Sequence, residues 1–186
     1  MTDAPSRPVS GILLAAGAGV RHGGPKALVD GWLVGALEAL RDGGCDPVLV
    51  VLGAAADEAR SLVPDGVEVV VATDWADGMG ASLRAGLTAV EETRAEAALV
   101  HLVDLPDVGA AVVRRVLAGA APGALARAVY RGVPGHPVLL GRAHWRGAAA
   151  MATGDQGARA YLRTHAVDEI ECGDLAQGQD VDARGC

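Results

Sequence analysis

The stretch Leu13-Leu14-Ala15-Ala16-Gly17-Ala18-Gly19-Val20-Arg21-His22-Gly23-Gly24-Pro25-Lys26 sets how this chain is read. It lies at the end of a continuous apolar run, Val9 to Ala16, the pattern of a strand buried on both faces. The run stops in a Gly-rich turn that carries one Arg and one Lys. Glycines let backbone N–H groups approach an anion closely, and the two cations neutralise it. In an α/β protein, ligands bind outside the carboxyl ends of the strands, where this turn sits.

Further along, apolar spacing predicts a helix over Trp32–Arg41, stopped by Gly43-Gly44, then a strand over Pro47–Leu52. A helix over Ala55–Val63, closed by Pro64, leads to a strand over Val67–Val71. Met79–Thr93 reads as a helix with Leu83, Leu87 and Val90 on one face, and Ala97–Val103 as a strand ending at Asp104. Val108–Leu117 reads as a helix. Ala124–Tyr130 and Pro137–Leu140 read as strands flanking a Gly/Pro loop, Gly157–His165 as a helix and Val167–Ile170 as a last strand. Alternating strands and helices imply a mostly parallel sheet covered on both faces. Residues 1–8, with two prolines, read as a tail, and residues 9–186 as a single domain.

Composition narrows the function. Hydrophobic residues make up 51% of the chain but aromatics only 3%, with no Phe, so the core is built from Ala, Val and Leu. The formal charge of −7 leaves no general basic surface for nucleic acid. An acidic protein that handles a polyanion must gather positive charge locally or use a metal ion. Cys45, Cys172 and Cys186 form no CxxC pair and no Cys/His cluster, so they read as ordinary thiols. The N-terminus lacks an apolar signal core, and no stretch approaches the ~20 apolar residues of a membrane span. The default expectation is a cytoplasmic protein.

Spacing excludes two nucleotide motifs. In G-x-G-x-x-G, Gly17 and Gly19 fit, but the third glycine falls on His22, and no acid closes the second strand at Leu52-Gly53-Ala54. A nicotinamide oxidoreductase therefore has only the glycines in its favour. In G-x-x-x-x-G-K-[ST], Gly19 and Gly24 fit, but Pro25 precedes Lys26, and Ala27 supplies no hydroxyl.

The full pattern L-A-A-G-x-G-x-R-x-G-x-P-K resembles the signature of nucleotidyltransferases with a glycosyltransferase-A-like fold, above all the molybdenum-cofactor cytidylyltransferases and guanylyltransferases. The resemblance implies a three-layer α/β/α sandwich with a mostly parallel, Rossmann-like sheet. It also implies that Leu14, Ala15, Ala16, Gly17, Gly19, Arg21 and Lys26 hold the triphosphate of an NTP. His22 stands where the family usually has Met. Trp75-Ala76-Asp77-Gly78-Met79-Gly80-Ala81-Ser82 matches W-x-x-G-M-x-x-S, which assigns Gly80 and Ser82 to the nucleotide; Ser82 also reads as a helix cap.

Asp104 stands at a strand end, in Val103-Asp104-Leu105-Pro106, where the family has G-D-x-P and a metal-binding Asp. A carboxylate there is costly unless it is paired or metal-bound. Asp107 reads as the cap of the following helix. Gly135-His136-Pro137 and Gly154-Asp155-Gln156-Gly157-Ala158-Arg159 resemble cytidylyltransferase segments and place His136 and Arg159 on the acceptor side, with Asp155 as a cap for the helix of Arg159. Asp180-Val181-Asp182 takes the place of D-[IV]-D-T-P, which makes Asp182 the second metal ligand.

These matches imply transfer of a nucleotide from an NTP, CTP first, to a phosphorylated acceptor, molybdopterin first, with Mg2+ (or Mn2+) as cofactor and pyrophosphate released. Arg21, Lys26 and Asp104 carry the catalysis by positioning and charge neutralisation. The alternatives are GTP, a sugar-phosphate acceptor, or a nucleotide-binding accessory protein for a molybdoenzyme. The implied partners are the NTP, the acceptor and a transiently bound molybdoenzyme, with neither nucleic acid nor membrane.

Overall fold

A computed structural model describes residues 8–181, so all but Pro8 of the expected tail, together with Asp182 and Cys186, lies outside the described residues. The apolar run becomes β1 (Val9–Ala15), buried along its whole length. It lies between two parallel neighbours, β2 (Val48–Leu52) and β4 (Ala97–Leu102). Such a strand has no solvent face, which is why its sequence does not alternate. Beyond β2 lies β3 (Glu68–Val71), also parallel. On the other side, β5 (Leu125–Tyr130) and β6 (Val133–Gly141) form a hairpin, and β7 (Asp168–Glu171) joins β5 in parallel. The order is β3-β2-β1-β4-β6-β5-β7, with β6 alone antiparallel to its neighbours.

Helices cover both faces, giving the expected three-layer α/β/α sandwich. On one face α1 (Trp32–Gly43) buries Leu33, Leu37 and Leu40, and α4 (Ala110–Leu117) buries Val112, Val113 and Val116. Ala59 of α2 (Ala56–Arg60) joins them. On the other, α3 (Met79–Glu91) buries Leu83, Leu87 and Val90 beside Trp145 of α5 (Trp145–Met151) and Tyr161 of α6 (Arg159–Leu162). Each fully buried Leu contributes roughly 1.5–3 kcal/mol. Small residues let the layers approach: a Cβ on Gly86 would lie 2.7 Å from Ile12 Cγ2, so α3 presses directly on β1. No helix among the described residues is long and apolar enough to cross a membrane.

Several expectations need correction. The Gly/Pro loop is largely part of β6; the true turn is Arg131-Gly132, both with positive φ (53° and 79°), the geometry of a tight hairpin turn. Prolines are tolerated there because β6 pairs with β4 only from Val138 onward. The first half of β6 therefore diverges from β4. The helix expected over Gly157–His165 shrinks to α6, and that over Ala55–Val63 to α2. Asp107 does not cap α4, whose N-cap is Gly109; its Oδ2 instead accepts the N–H groups of Gln177 and Gly178 at 2.7 and 3.2 Å. Asp155 makes no capping bond to α6, nor Ser82 to α3.

Candidate active site

The carboxyl ends of β1 and β4, the start of α3, the divergent half of β6 and α6 surround one cleft of about 700 Å3. Its lining includes Leu14, Ala15, Ala16, Gly17, Gly19, Arg21, Lys26, Ser82, Asp104, His136 and Arg159. Residues spread over the whole chain are thus gathered at the switch point of the sheet, where β1 leads through α1 to β2 on one side of it while β4 lies on its other side.

The Gly-rich loop is shaped by Gly19. Its φ is +59°, and a Cβ there would lie 1.9 Å from the carbonyl oxygen of Gly24. The carbonyl of Gly19 accepts the N–H groups of His22, Gly23 and Gly24 at 2.9, 2.9 and 3.1 Å. The second half of the loop is therefore closed on itself. The first half is open: no acceptor among the described residues takes the N–H of Gly17, Ala18, Gly19 or Val20. Those amides are available to an anion, which a nest of successive N–H groups would cradle. His22 is buried in the loop with its ring 5.4 Å from that of Trp32, and neither ring nitrogen has a partner among the described residues. It acts as a packing residue there, as Met would.

Lys26 joins the loop to the end of β4. Its Nζ donates to Asp104 Oδ2 at 2.7 Å, and the two side chains are only 15% and 17% exposed. The other oxygen, Asp104 Oδ1, is buried and has no hydrogen-bond donor among the described residues. A buried acceptor without a partner is costly, and a hard divalent cation relieves that cost. The donor fits Mg2+ or Mn2+, which keeps waters and takes further oxygens from substrate phosphates. Among the described residues no group of three His, Cys, Asp or Glu side chains forms a complete cage. The C-terminal segment reaches the same place: Val181 N–H donates to the Asp104 carbonyl at 3.1 Å, and Asp180 lines the cleft.

His136 stands on the divergent half of β6, partly buried. Its pKa is pushed down to about 4, first by desolvation; the carboxylate of Asp104 opposes this, and the charge of Arg159 adds to it. His136 is therefore a neutral imidazole at neutral pH. Tyr130 fixes the segment by donating from its hydroxyl to the His136 carbonyl at 2.6 Å. His101, opposite Leu13 on β4, is fully buried with both ring nitrogens unpartnered, and burial is the main cause that lowers its pKa to about 3.

Gly78, Met79 and Ser82 bring the N-terminus of α3 to the cleft, beside Trp75. Gly80 is absent from the lining. A Cβ there would lie 2.7 Å from the backbone of Ala152, so this glycine serves the contact between α3 and the segment after α5.

Sequence reasoning passed over Arg127 of β5, Trp75 and Asp180, all of which line the cleft. Arg127 had a signal: it is the one charge in the strand Leu125-Ala126-Arg127-Ala128-Val129-Tyr130. The lining carries four cations (Arg21, Lys26, Arg127, Arg159) and three acids (Asp104, Asp155, Asp180), a net +1 in a chain of net −7. Positive charge is gathered locally, as anion binding requires.

The chain is similar to known proteins over nearly its whole length. The family described as the MobA-like NTP transferase domain matches residues 11–170. A protein named nicotine blue oxidoreductase, from Paenarthrobacter nicotinovorans, is 39% identical over 198 aligned residues, covering 97% of this chain and 94% of that one. The solved structure of Rv0371c from Mycobacterium tuberculosis is 31% identical, with 96% of this chain and 94% of that chain covered and a TM-score of 0.80. The same protein in complex with manganese gives a TM-score of 0.77 at 29% identity, covering 94% of each chain. A nucleotidyl transferase from Methanothermobacter shares the fold: TM-score 0.79 at 21% identity, covering 95% of this chain and 92% of that one.

Proposed function

The chain belongs to the MobA-like NTP transferase family, and from that membership we propose that it transfers CMP from CTP to a phosphorylated acceptor of the molybdopterin type, releasing pyrophosphate. The observation that carries this reading is the Lys26–Asp104 pair with Asp104 Oδ1 left buried and open beside an anion nest. The amides of Gly17 to Val20, with Arg21 and Lys26, would hold the triphosphate, and Ser82 the nucleoside end. Asp104, joined by Asp182, would hold the divalent cation, which would supply neutralisation of charge on the α-phosphate and the leaving pyrophosphate. Lys26 keeps the carboxylate oriented and supplies a cation to the phosphates as they arrive. His136 and Arg159 would face the acceptor, whose phosphate oxygen attacks the α-phosphorus while the bond to pyrophosphate breaks. No protein nucleophile is needed; positioning and charge do the work.

Leu14-Ala15-Ala16-Gly17, in place of the L-A-G-G of guanylyl relatives, and the G-H-P segment favour CTP over GTP. A cytoplasmic site of action is part of the same proposal. The test incubates the protein with Mg2+, molybdopterin and CTP, GTP, UTP or ATP in turn, and measures pyrophosphate. CTP should give the fastest release. Tight NTP binding with no pyrophosphate from any nucleotide would identify an accessory binding protein instead.

A second reading rests on the 39% identity to a protein named nicotine blue oxidoreductase. On it, the same loop binds the pyrophosphate of a redox dinucleotide. Against it stand His22 in place of the third glycine and the missing acid after β2. Oxidation of NAD(P)H by this chain in the presence of an electron-accepting dye, with no pyrophosphate from any NTP, would establish it.

A further inference from the structure

We propose that Arg127, held by Glu169, is a second anion-recognition residue of the cleft and that with Arg159 it selects an acceptor bearing a phosphate-type anion. The proposal deepens the nucleotidyl-transfer reading and rests on it for the word acceptor.

Arg127 lies on β5, where its neighbours in sequence are apolar. A register shift between Arg127 and Val129 breaks the β5–β6 ladder at this point, and irregularities of that kind re-aim side chains beside active sites. Across the parallel ladder its partner is Glu169 of β7, whose Oε1 accepts a hydrogen bond from Arg127 Nη2. The carboxylate therefore fixes one edge of the guanidinium fork. Another donor, Nε, is buried with no partner among the described residues, while the side chain lines the cleft. A guanidinium that served only to tie β5 to β7 would have no reason to bury a donor unpaired. A forked donor that is oriented by one carboxylate and keeps its Nε unpartnered suits a second, exogenous oxyanion.

Position separates this anion from the triphosphate. In the order β1-β4-β6-β5, Arg127 is two strands from β4 and three from β1. At ~4.8 Å per strand this is roughly 10 Å from the end of β4 and roughly 14 Å from the loop of Arg21 and Lys26. Arg159, at the start of α6, lines the same cleft, close enough to His136 for its charge to act on that imidazole, and has no hydrogen-bond or ion-pair partner among the described residues. His136 lies between the two ends. One anion at the loop and another at Arg127 and Arg159 would bracket Asp104 and His136.

The test titrates inorganic phosphate into the full chain by calorimetry, with and without saturating CTP and Mg2+. Phosphate should bind the CTP-loaded protein, and Arg127→Gln should weaken that binding about tenfold or more, the scale of one charge-assisted hydrogen bond. Arg127→Lys keeps the charge but not the fork, and should also weaken phosphate binding while leaving the melting temperature unchanged; it serves if Arg127→Gln unfolds. Phosphate that fails to bind the CTP-loaded protein, or binds both variants as tightly as the wild type, overturns the proposal. Equal thermal losses in Arg127→Gln and Glu169→Gln with unchanged phosphate affinity do the same, leaving a strut between strands. If CTP does not bind but phosphate binds and is lost in Arg127→Gln, the anion site stands and the nucleotidyl-transfer reading falls.

Discussion

Replacing Asp104 by Asn tests the centre of the site with almost no change in shape. The amide oxygen can still accept from Lys26 Nζ, so the 2.7 Å contact that closes the loop onto β4 survives. What disappears is one negative charge. Lys26, 15% exposed, loses the charge of this partner, at a cost of about 1–2 kcal/mol once residual exposure is allowed for. In a chain of this size that lowers the melting temperature by about 2–8 °C, so the protein remains folded. The catalytic loss is larger. Oδ1 is the buried oxygen left open for the proposed cation, and a neutral group in place of the carboxylate would remove a charged ligand from it. A loss of about 4 kcal/mol of transition-state stabilisation slows turnover about a thousandfold. The assay is pyrophosphate release from CTP across a range of Mg2+ and Mn2+ concentrations, beside a thermal melt. Turnover within about tenfold of wild type, in a folded protein, refutes the assignment of Asp104 to the cation.

Gly19→Ala should open the loop, because the new Cβ meets the Gly24 oxygen at 1.9 Å and neither is free to move far. Losing about two charge-assisted hydrogen bonds weakens NTP binding about a hundredfold by calorimetry, and unchanged affinity would count against the nest. His101 and His136 have folded pKa values near 3 and 4, below the ordinary value of 6.5. The unfolded chain therefore binds more protons below pH 6.5, so stability is full above that pH and falls as pH drops toward 4. Urea midpoints at pH 7, 6 and 5 should decline, and His101→Leu should flatten the decline by about one proton's worth of slope. Trp145 is 2% exposed and donates to the Leu140 carbonyl at 2.8 Å, so Trp145→Ala should cost about 3–5 kcal/mol in chemical unfolding.

Much of this architecture is legible in the sequence, because β1, β2 and β4 are unbroken apolar runs and α1 and α3 repeat at helical spacing. The loop residues and Asp104 are legible as well, since each sits at the end of such a run. The hairpin is not: Pro134-Gly135-His136-Pro137 has the composition of a loop and becomes strand only because β5 pairs with it. The helix α5 is hidden by its composition, Ala-rich with only Trp145 and Ala148 buried. Asp107 looks like a helix cap because capping is local, whereas its actual partners lie 70 and 71 residues away. Arg127 and Glu169 are 42 residues apart, and only the sheet order makes them neighbours.

The two readings of the cleft differ in what they ask of Asp104. A dinucleotide pyrophosphate on the loop would bring its charge toward the Asp104 carboxylate, whose ion-pair partner among the described residues, Lys26, is already engaged with it. Like charges about 5 Å apart repel by about 3 kcal/mol at an effective dielectric of 20. A divalent cation between them turns that repulsion into attraction, and an NTP is normally bound as its metal complex. Nucleotide affinity should therefore depend steeply on Mg2+ or Mn2+ if the cleft is built for NTPs, and Asp104→Asn should abolish that dependence. If instead NAD(P)H binds tightly in the presence of a chelator and Asp104→Asn binds it more tightly still, the carboxylate opposes the true ligand and the transferase reading of the site fails.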